Sequence, residues 1–159
     1  MWNMNEHSKI ITWNDIHLDI QRLAGIIPSD VSRKGMISVS RGGLVPAALL
    51  AREMDIRMVD TLCIQSYDGR DQTHLEILKE PTAAVASAGQ GWLLIDDIAD
   101  TGDTLKAART ILPHAHFATV YAKPGGEGFV NTVLHTVSQE TWVEFPWEQQ
   151  PEATQNKGE

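Results

Sequence analysis

The stretch from Trp92 to Thr104, Trp-Leu-Leu-Ile-Asp-Asp-Ile-Ala-Asp-Thr-Gly-Asp-Thr, most narrows what this chain can fold into. An apolar run of strand length, Trp92 to Ile95, stops at the adjacent carboxylates of Asp96 and Asp97. Another acid follows at Asp100, and Thr101-Gly102-Asp103-Thr104 reads as a turn. Beyond it Leu105, Ala108, Ile111 and Leu112 recur at helical spacing until Pro113. The pattern predicts a buried strand, a loop carrying the acids and threonines, and a helix. Packing alone gives an apolar strand no reason to end in paired charges. In an open parallel sheet the strand-to-helix turn is where ligands bind.

The chemistry of the turn narrows the ligand. The Thr101 and Thr104 hydroxyls, the close backbone approach that Gly102 allows and the unpaired amides of a helix start form a cradle for phosphate. The carboxylates beside it repel a bare phosphate and need another task. They can grip sugar hydroxyls, hold a hard cation such as magnesium, or move a proton. A phosphorylated sugar with a metal suits both halves. Helix capping accounts for one or two acids, since Asp is favoured at helix N-termini, but it does not call for Asp96, Asp97, Asp100 and Asp103 together with Thr-Gly-x-Thr.

Size and charge bound the rest. With 159 residues, 42% of them hydrophobic, the chain supplies one substantial core, expected as one domain over residues 1–150. Residues 151–159 are polar and expected to be a disordered tail. A net charge of −8 argues against nonspecific nucleic-acid binding and leaves any anionic ligand to local donors. Cys63, the one cysteine, excludes an intramolecular disulfide, suits a cytoplasmic setting and reads as a small buried hydrophobe. Met1 to Lys9 has no apolar run after a basic start, so no signal peptide is expected. No segment approaches the roughly 20 apolar residues that span a bilayer. A Walker loop, a Gly-x-Ser-x-Gly elbow and a Gly-x-Gly-x-x-Gly fingerprint are missing, and His114 and His116 lack partners for zinc.

Taken in order, Ile16, Ile20, Leu23, Ala24 and Ile27 share one helical face, capped near Thr12 or Asn14 and stopped by Pro28. Met36 to Ser40 reads as a strand, Arg41-Gly42-Gly43 as a turn, and Leu44 to Met54 as a helix with Pro46 in its first turn. The glycines can expose an amide to a ligand and Arg41 can grip phosphate oxygens in two-pronged fashion, although a tight turn with a surface arginine is the commoner use of such a triplet. Val59 to Ile64 is the next expected strand. Ser66 to Gly91 has little periodicity apart from Leu75, Ile77 and Leu78, and a connection that long reads as a lid. His116 to Ala122 is expected as a strand, with Lys123 at its carboxyl end aimed at the crevice. Val130 to Val137 follows as a strand, antiparallel or at an edge. Trp142-Val143-Glu144-Phe145-Pro146-Trp147 brings aromatics into a polar chain end, where Trp142 can stack on a flat heterocycle and Trp147 can pack on the core or an interface.

Ile95 to Thr104 resembles the phosphoribosyl-pyrophosphate (PRPP) motif of the type I phosphoribosyltransferase family. Ser40-Arg41-Gly42-Gly43-Leu44-Val45-Pro46, Ser66-Tyr67-Asp68, Ala122-Lys123-Pro124 and Thr141-Trp142-Val143-Glu144 bring the likeness to its bacterial xanthine-guanine branch, and it extends from Lys9 to Glu148. The resemblance implies an α/β fold with a twisted, mainly parallel sheet flanked by helices, a small C-terminal hood at 124–148 and a flexible loop that closes over the sugar. It implies transfer of a phosphoribosyl group from PRPP to guanine or xanthine, with hypoxanthine weaker, using Mg2+. It further implies a homotetramer in the cytoplasm, and light attachment to the inner membrane face has been described for some members. This chain has no basic amphipathic stretch to explain such attachment.

The same resemblance distributes roles. Arg41 and Gly42 hold pyrophosphate. Asp96 and Asp97 serve ribose hydroxyls and magnesium, and because successive strand side chains diverge they should not share one task, with Asp97 the metal-linked choice. Ile98, Ala99, Asp100, Thr101, Gly102, Asp103 and Thr104 complete the PRPP site. The Asp103 side chain is expected to point away from the phosphate. Asp100 is the catalytic acid or base near purine N7, Lys123 recognises the oxygen at C6, Trp142 stacks on the ring and the main chain of Val143 reads C2. Where the family carries an arginine late in the loop, this chain has Thr73-His74 with Arg70 nearest, so the loop contact to pyrophosphate falls to Arg70, Thr73 or His74, or is missing. Two other functions remain open at this point: a nucleotide-binding regulator with little turnover, and a hypoxanthine-preferring transferase.

Overall fold

The computed structural model describes residues 8–32, 34–68 and 73–149. In chain order the elements are β1 (Ser8–Ile10), α1 (Trp13–Ile26), β2 (Gly35–Ser40), α2 (Leu44–Glu53), β3 (Val59–Asp68), β4 (Thr73–Lys79), α3 (Thr82–Ala86), β5 (Trp92–Ala99), α4 (Asp103–Ile111), β6 (His116–Ala122), α5 (Pro124–Glu127), β7 (Thr132–Thr136) and β8 (Trp142–Glu144). Six strands form one sheet in the order β4-β3-β2-β5-β6-β7, and β1 and β8 make a separate parallel pair. Within the large sheet only β3 and β4 are antiparallel.

Strand order places the site. From β2 the chain crosses to β3 on one side, and from β5 it crosses to β6 on the other. The winding therefore reverses between β2 and β5, and a crevice opens outside the carboxyl ends of these strands. Both strands are buried on their two faces. Met36, Leu93 and Ile95 pack on one side with Ile16, Ile20 and Leu23 of α1, Ala47 and Leu50 of α2, and Phe145. Ile37, Val39 and Leu94 pack on the other side with Ala84 of α3 and Leu105 and Ala108 of α4. This is the layered arrangement that alternating strands and helices require.

Local signals act as their chemistry dictates. Thr12 caps α1 in a capping box: the Asp15 N–H donates to Thr12 Oγ1 at 3.1 Å and the Thr12 N–H donates to Asp15 Oδ2 at 2.9 Å. The helix buries Ile16, Ile20 and Leu23, the stripe expected of its spacing.

Several expectations need correction. The acids do not begin in a loop, because β5 runs on to Ala99. Its pairing with β2 ends at Ile95, but β6 stays alongside, with Asp96 opposite Thr119 and Ala99 opposite Ala122. Asp96 and Asp97 thus lie in the last part of β5, which is paired with β6 on one side and unpaired with β2 on the other. The span from Ser66 to Gly91, read as a connection with little periodicity, carries regular structure among its described residues: β3 continues to Asp68, β4 returns antiparallel to it and α3 follows. Polar Gln65 and Ser66 on β3 hide the period-two pattern there, while Leu75 and Ile77 turn inward and Glu76 and Leu78 face out. An ion pair of 2.7 Å between Lys79 and Asp60 joins β4 to the start of β3. β7 is an edge strand, as expected, but parallel to β6, because α5 supplies a crossover. Cys63 is half-buried rather than buried.

β1 is too short to read from sequence. It pairs Lys9 with Val143 and so fastens the chain start to the hood segment. Arg70 and the 151–159 tail lie outside the described residues. Among the described residues no helix is long and apolar enough to cross a membrane.

Candidate active site

The β2–α2 turn faces the end of β5. Arg41 follows a cis peptide bond with Ser40. A Cβ on residue 42 would lie between 2.5 and 2.7 Å from the Asp97 carboxylate atoms. A Cβ on residue 43 would lie 2.5 Å from the Ile95 carbonyl oxygen and 2.8 Å from that of Val39. Only glycines let the turn and the acid-bearing strand meet this closely.

Asp96 and Asp97 are each only 8% exposed. The Asp97 N–H donates to Asp96 Oδ1 at 2.9 Å, and the Ile98 N–H donates to Asp97 Oδ1 at 2.6 Å. Among the described residues no cation pairs with either. Burial, and then the Asp97 charge beside it, pushes the Asp96 carboxyl well above its ordinary range. Burial also raises Asp97, with the Glu148 charge adding to it, to about 6. Carboxyls held this way gain from a positive partner. The described residues contain no group of three or more Asp, Glu, His or Cys side chains arranged around a metal.

The next segment forms the cradle. Gly102 adopts a left-handed φ of 87° and leads into α4. A cavity of about 90 Å3 is lined by Asp96 and by the continuous run from Ile98 to Leu105. Thr101 Oγ1 donates to Asp103 Oδ2 at 2.8 Å, so the exposed Asp103 carboxylate folds back on the threonine. An anion in the cradle can draw that hydroxyl away, because a threonine has one proton to donate.

At the end of β6 the Lys123 N–H donates to the Ala99 carbonyl at 2.9 Å, which fixes the lysine against β5. Its side chain is 8% exposed and its ammonium lies 3.0 Å from Asp100 Oδ2. Gln139 Nε2 donates to the other carboxylate oxygen, Oδ1, at 2.8 Å. The lysine thus stands at the carboxyl end of β6, paired with Asp100.

A second cavity, of about 460 Å3, is lined by Arg41, Gly42, Trp147 and Glu148. Trp147 stacks on Phe145 with ring centroids 4.7 Å apart and stands 6.1 Å from Trp13, which makes it a packing residue that holds the hood on α1. Trp142 is 66% exposed on β8, while Val143 beside it is buried. His74 lies exposed on β4 opposite Tyr67, and Thr73 opposes Asp68.

Two residues of the site are not legible in the sequence. Gln139 sits in an undistinguished polar run, Ser138-Gln139-Glu140. Glu148 follows the aromatic hood and reaches the Asp97 region only through the way the chain end folds back. An acid directly after Trp147 was the one signal available.

Residues 9–153 match the sequence model of the phosphoribosyl transferase domain family. The chain is 49% identical over 139 residues to a xanthine-guanine phosphoribosyltransferase of Nitratidesulfovibrio vulgaris strain Hildenborough, covering 87% of this chain and 83% of that protein. To the protein of the same name from Chromohalobacter salexigens it is 45% identical, covering 87% of this chain and 82% of the relative. The crystal structure of a purine phosphoribosyltransferase from Pyrococcus horikoshii Ot3 superposes with a TM-score of 0.74 at 22% identity, covering 92% of this chain and 97% of that one, a likeness of fold.

Proposed function

The chain belongs to the phosphoribosyl transferase domain family, and from that premise we propose that it is a purine salvage enzyme. It transfers the 5-phosphoribosyl group of PRPP to N9 of guanine or xanthine, with hypoxanthine a weaker acceptor, and gives the nucleotide and pyrophosphate. Xanthine-guanine phosphoribosyltransferases at 45 to 49% identity over most of the chain support this choice of base. The observation that carries the chemistry is the end of β5, where two buried acids and an amide cradle share one bend.

Breaking the bond between the anomeric carbon and pyrophosphate oxygen builds positive charge on the sugar ring, as in glycoside cleavage. Asp96 and Asp97 offer acceptors for the ribose hydroxyls, and the negative charge that their burial disfavours is drawn out by a cation or by the charge developing on the ring, in a site where burial strengthens electrostatics. The amides and hydroxyls from Asp100 to Thr104 seat the 5'-phosphate, with Ile98 and Ala99 forming the approach. Asp103 turns from Thr101 as the phosphate arrives. Arg41 and the Gly42 amide hold the leaving pyrophosphate, and Thr73 or His74, or Arg70, extends that contact. Asp97 would hold Mg2+, which neutralises pyrophosphate charge when bound.

As the purine N9 forms its bond to the anomeric carbon, Asp100 accepts the proton the base gives up. Lys123 donates to the exocyclic oxygen at C6, Trp142 covers the ring and the Val143 main chain meets the C2 substituent. The same resemblance supports one domain over 1–150, a homotetramer and a cytoplasmic setting.

Initial rates with guanine, xanthine and hypoxanthine at fixed PRPP and Mg2+ test the reading. Nucleotide formation from guanine and xanthine is expected. Binding of GMP without turnover marks a regulator, and a higher rate with hypoxanthine marks a different base preference.

A further inference from the structure

Gln139 lies in the segment between β7 and β8, and neither family resemblance nor sequence pattern gives it a task. Its side-chain amide bridges two places. Oε1 accepts the Gly125 N–H at 2.9 Å, and Nε2 donates to Asp100 Oδ1 at 2.8 Å. Only this orientation satisfies both partners, because a backbone N–H needs an acceptor and an ionised carboxylate needs a donor. Gly125 stands two residues after Lys123, at the start of α5. Gln139 therefore ties Asp100 to the turn that follows the lysine.

The other oxygen of Asp100 is held by Lys123 at 3.0 Å. To reach a purine oxygen the ammonium redirects one of its three N–H donors, and in the transfer reading it swings off the carboxylate as it does so. When it turns to the base, Oδ2 is released toward the ring and Asp100 loses its charged partner. Gln139, anchored through its own carbonyl to backbone, does not have to move in this exchange.

We propose that Gln139 is a positioning residue for the transfer reaction: it keeps the Asp100 carboxylate oriented toward the base while Lys123 leaves it to engage the substrate. The inference rests on the transfer reading above.

The isosteric substitution Gln139→Glu separates this role from simple packing. It retains an oxygen for the Gly125 N–H, removes the donor to Asp100 and sets a second carboxylate against it. Gln139→Leu removes both contacts but adds no charge. The expected order of kcat is wild type, then Gln139→Leu, then Gln139→Glu, with Gln139→Glu lowered about tenfold, the scale of one hydrogen bond to a charged group. KM for PRPP should stay within about twofold of wild type, because Gln139 holds the acid that faces the base and not the phosphate cradle. If Gln139 only pins the chain through Gly125, Gln139→Glu keeps wild-type kcat and Gln139→Leu alone is impaired, which overturns the inference.

A melting cycle reads the contact without turnover. In Gln139→Glu/Asp100→Asn the asparagine amide can donate to Glu and its oxygen can face Lys123. The double variant should melt higher than the separate shifts of the two single variants predict. Additive shifts contradict the contact. A non-additive cycle in a wild-type chain that transfers nothing sinks the transfer reading and leaves the contact standing.

Discussion

Gly42 lies directly against the Asp97 carboxylate, with a Cβ at position 42 placed 2.5 Å from Oδ2. The turn after β2 and the end of β5 thus share one small volume, and the pyrophosphate and sugar sides of the proposed site would depend on the same contact. Gly42→Ala must push the carboxylate or the turn aside. It should cost about 1–3 kcal/mol of stability, the range for overpacking a filled site. It should also lower kcat/KM for PRPP by at least about tenfold. Urea unfolding and initial rates with varied PRPP check both.

The raised carboxyl of Asp97, held up to about 6 by burial first and by the Glu148 charge, gives a pH signature. The native chain keeps a proton there that the unfolded chain has already released. Between the ordinary carboxylate range and about 6 stability therefore falls as pH rises, and above about 6 the full cost is present. Without divalent metal, Tm should drop between about pH 4 and pH 6.5, and Asp97→Asn should remove much of the drop, worth roughly 1–3 kcal/mol. Added Mg2+ should raise Tm at the higher pH far more than at the lower one. Scanning calorimetry at both values gives the comparison.

Asp100→Ala should depress kcat by about a hundredfold or more while leaving KM for PRPP near wild type, because the role proposed for the residue is proton exchange with the base and not contact with the phosphate. Steady-state rates with guanine read this. A fully active variant would remove Asp100 from the proton-transfer role.

How much of this was legible in advance follows from which residues report on themselves. β2, α2, α4 and β6 show in the sequence because each buries a regular apolar pattern, and the acids of β5 show because charges end an apolar run. The extent of β5 did not show, since only the neighbouring β6 keeps Asp96 to Ala99 in a ladder. The β3–β4 hairpin was hidden because an arm with few buried residues carries little periodicity. Gln139 and Glu148 were invisible for a different reason. Each is a common surface residue type whose task exists only once a distant segment folds beside Asp100 or Asp97.

Trp142→Ala should raise KM for the base by about tenfold and leave KM for PRPP unchanged, the expectation for losing a stacking contact of about 1–3 kcal/mol. Since Trp142 is 66% exposed, Tm should hardly change. Equal changes in both Michaelis constants would contradict stacking.

Asp19 tests the frame beneath the site. Its buried carboxylate accepts from Tyr121 Oη at 3.2 Å and from His135 Nε2 at 2.9 Å, joining α1 to β6 and β7. Burial, with the Asp19 charge next, pushes the Tyr121 hydroxyl far above its ordinary value, so it remains a donor at every working pH. Asp19→Ala strands both partners and should cost about 2–4 kcal/mol, whereas Asp19→Asn keeps an acceptor and should cost less. The urea midpoints of the two variants supply the comparison.

The most direct measurement is a crystal structure of the chain with GMP. The 5'-phosphate is expected against the backbone amides of Thr101 to Thr104, the ribose hydroxyls on the Asp96 and Asp97 side, and the purine between Lys123 and Trp142. A nucleotide lodged elsewhere, with that bend vacant and its aspartates facing solvent, would contradict the account.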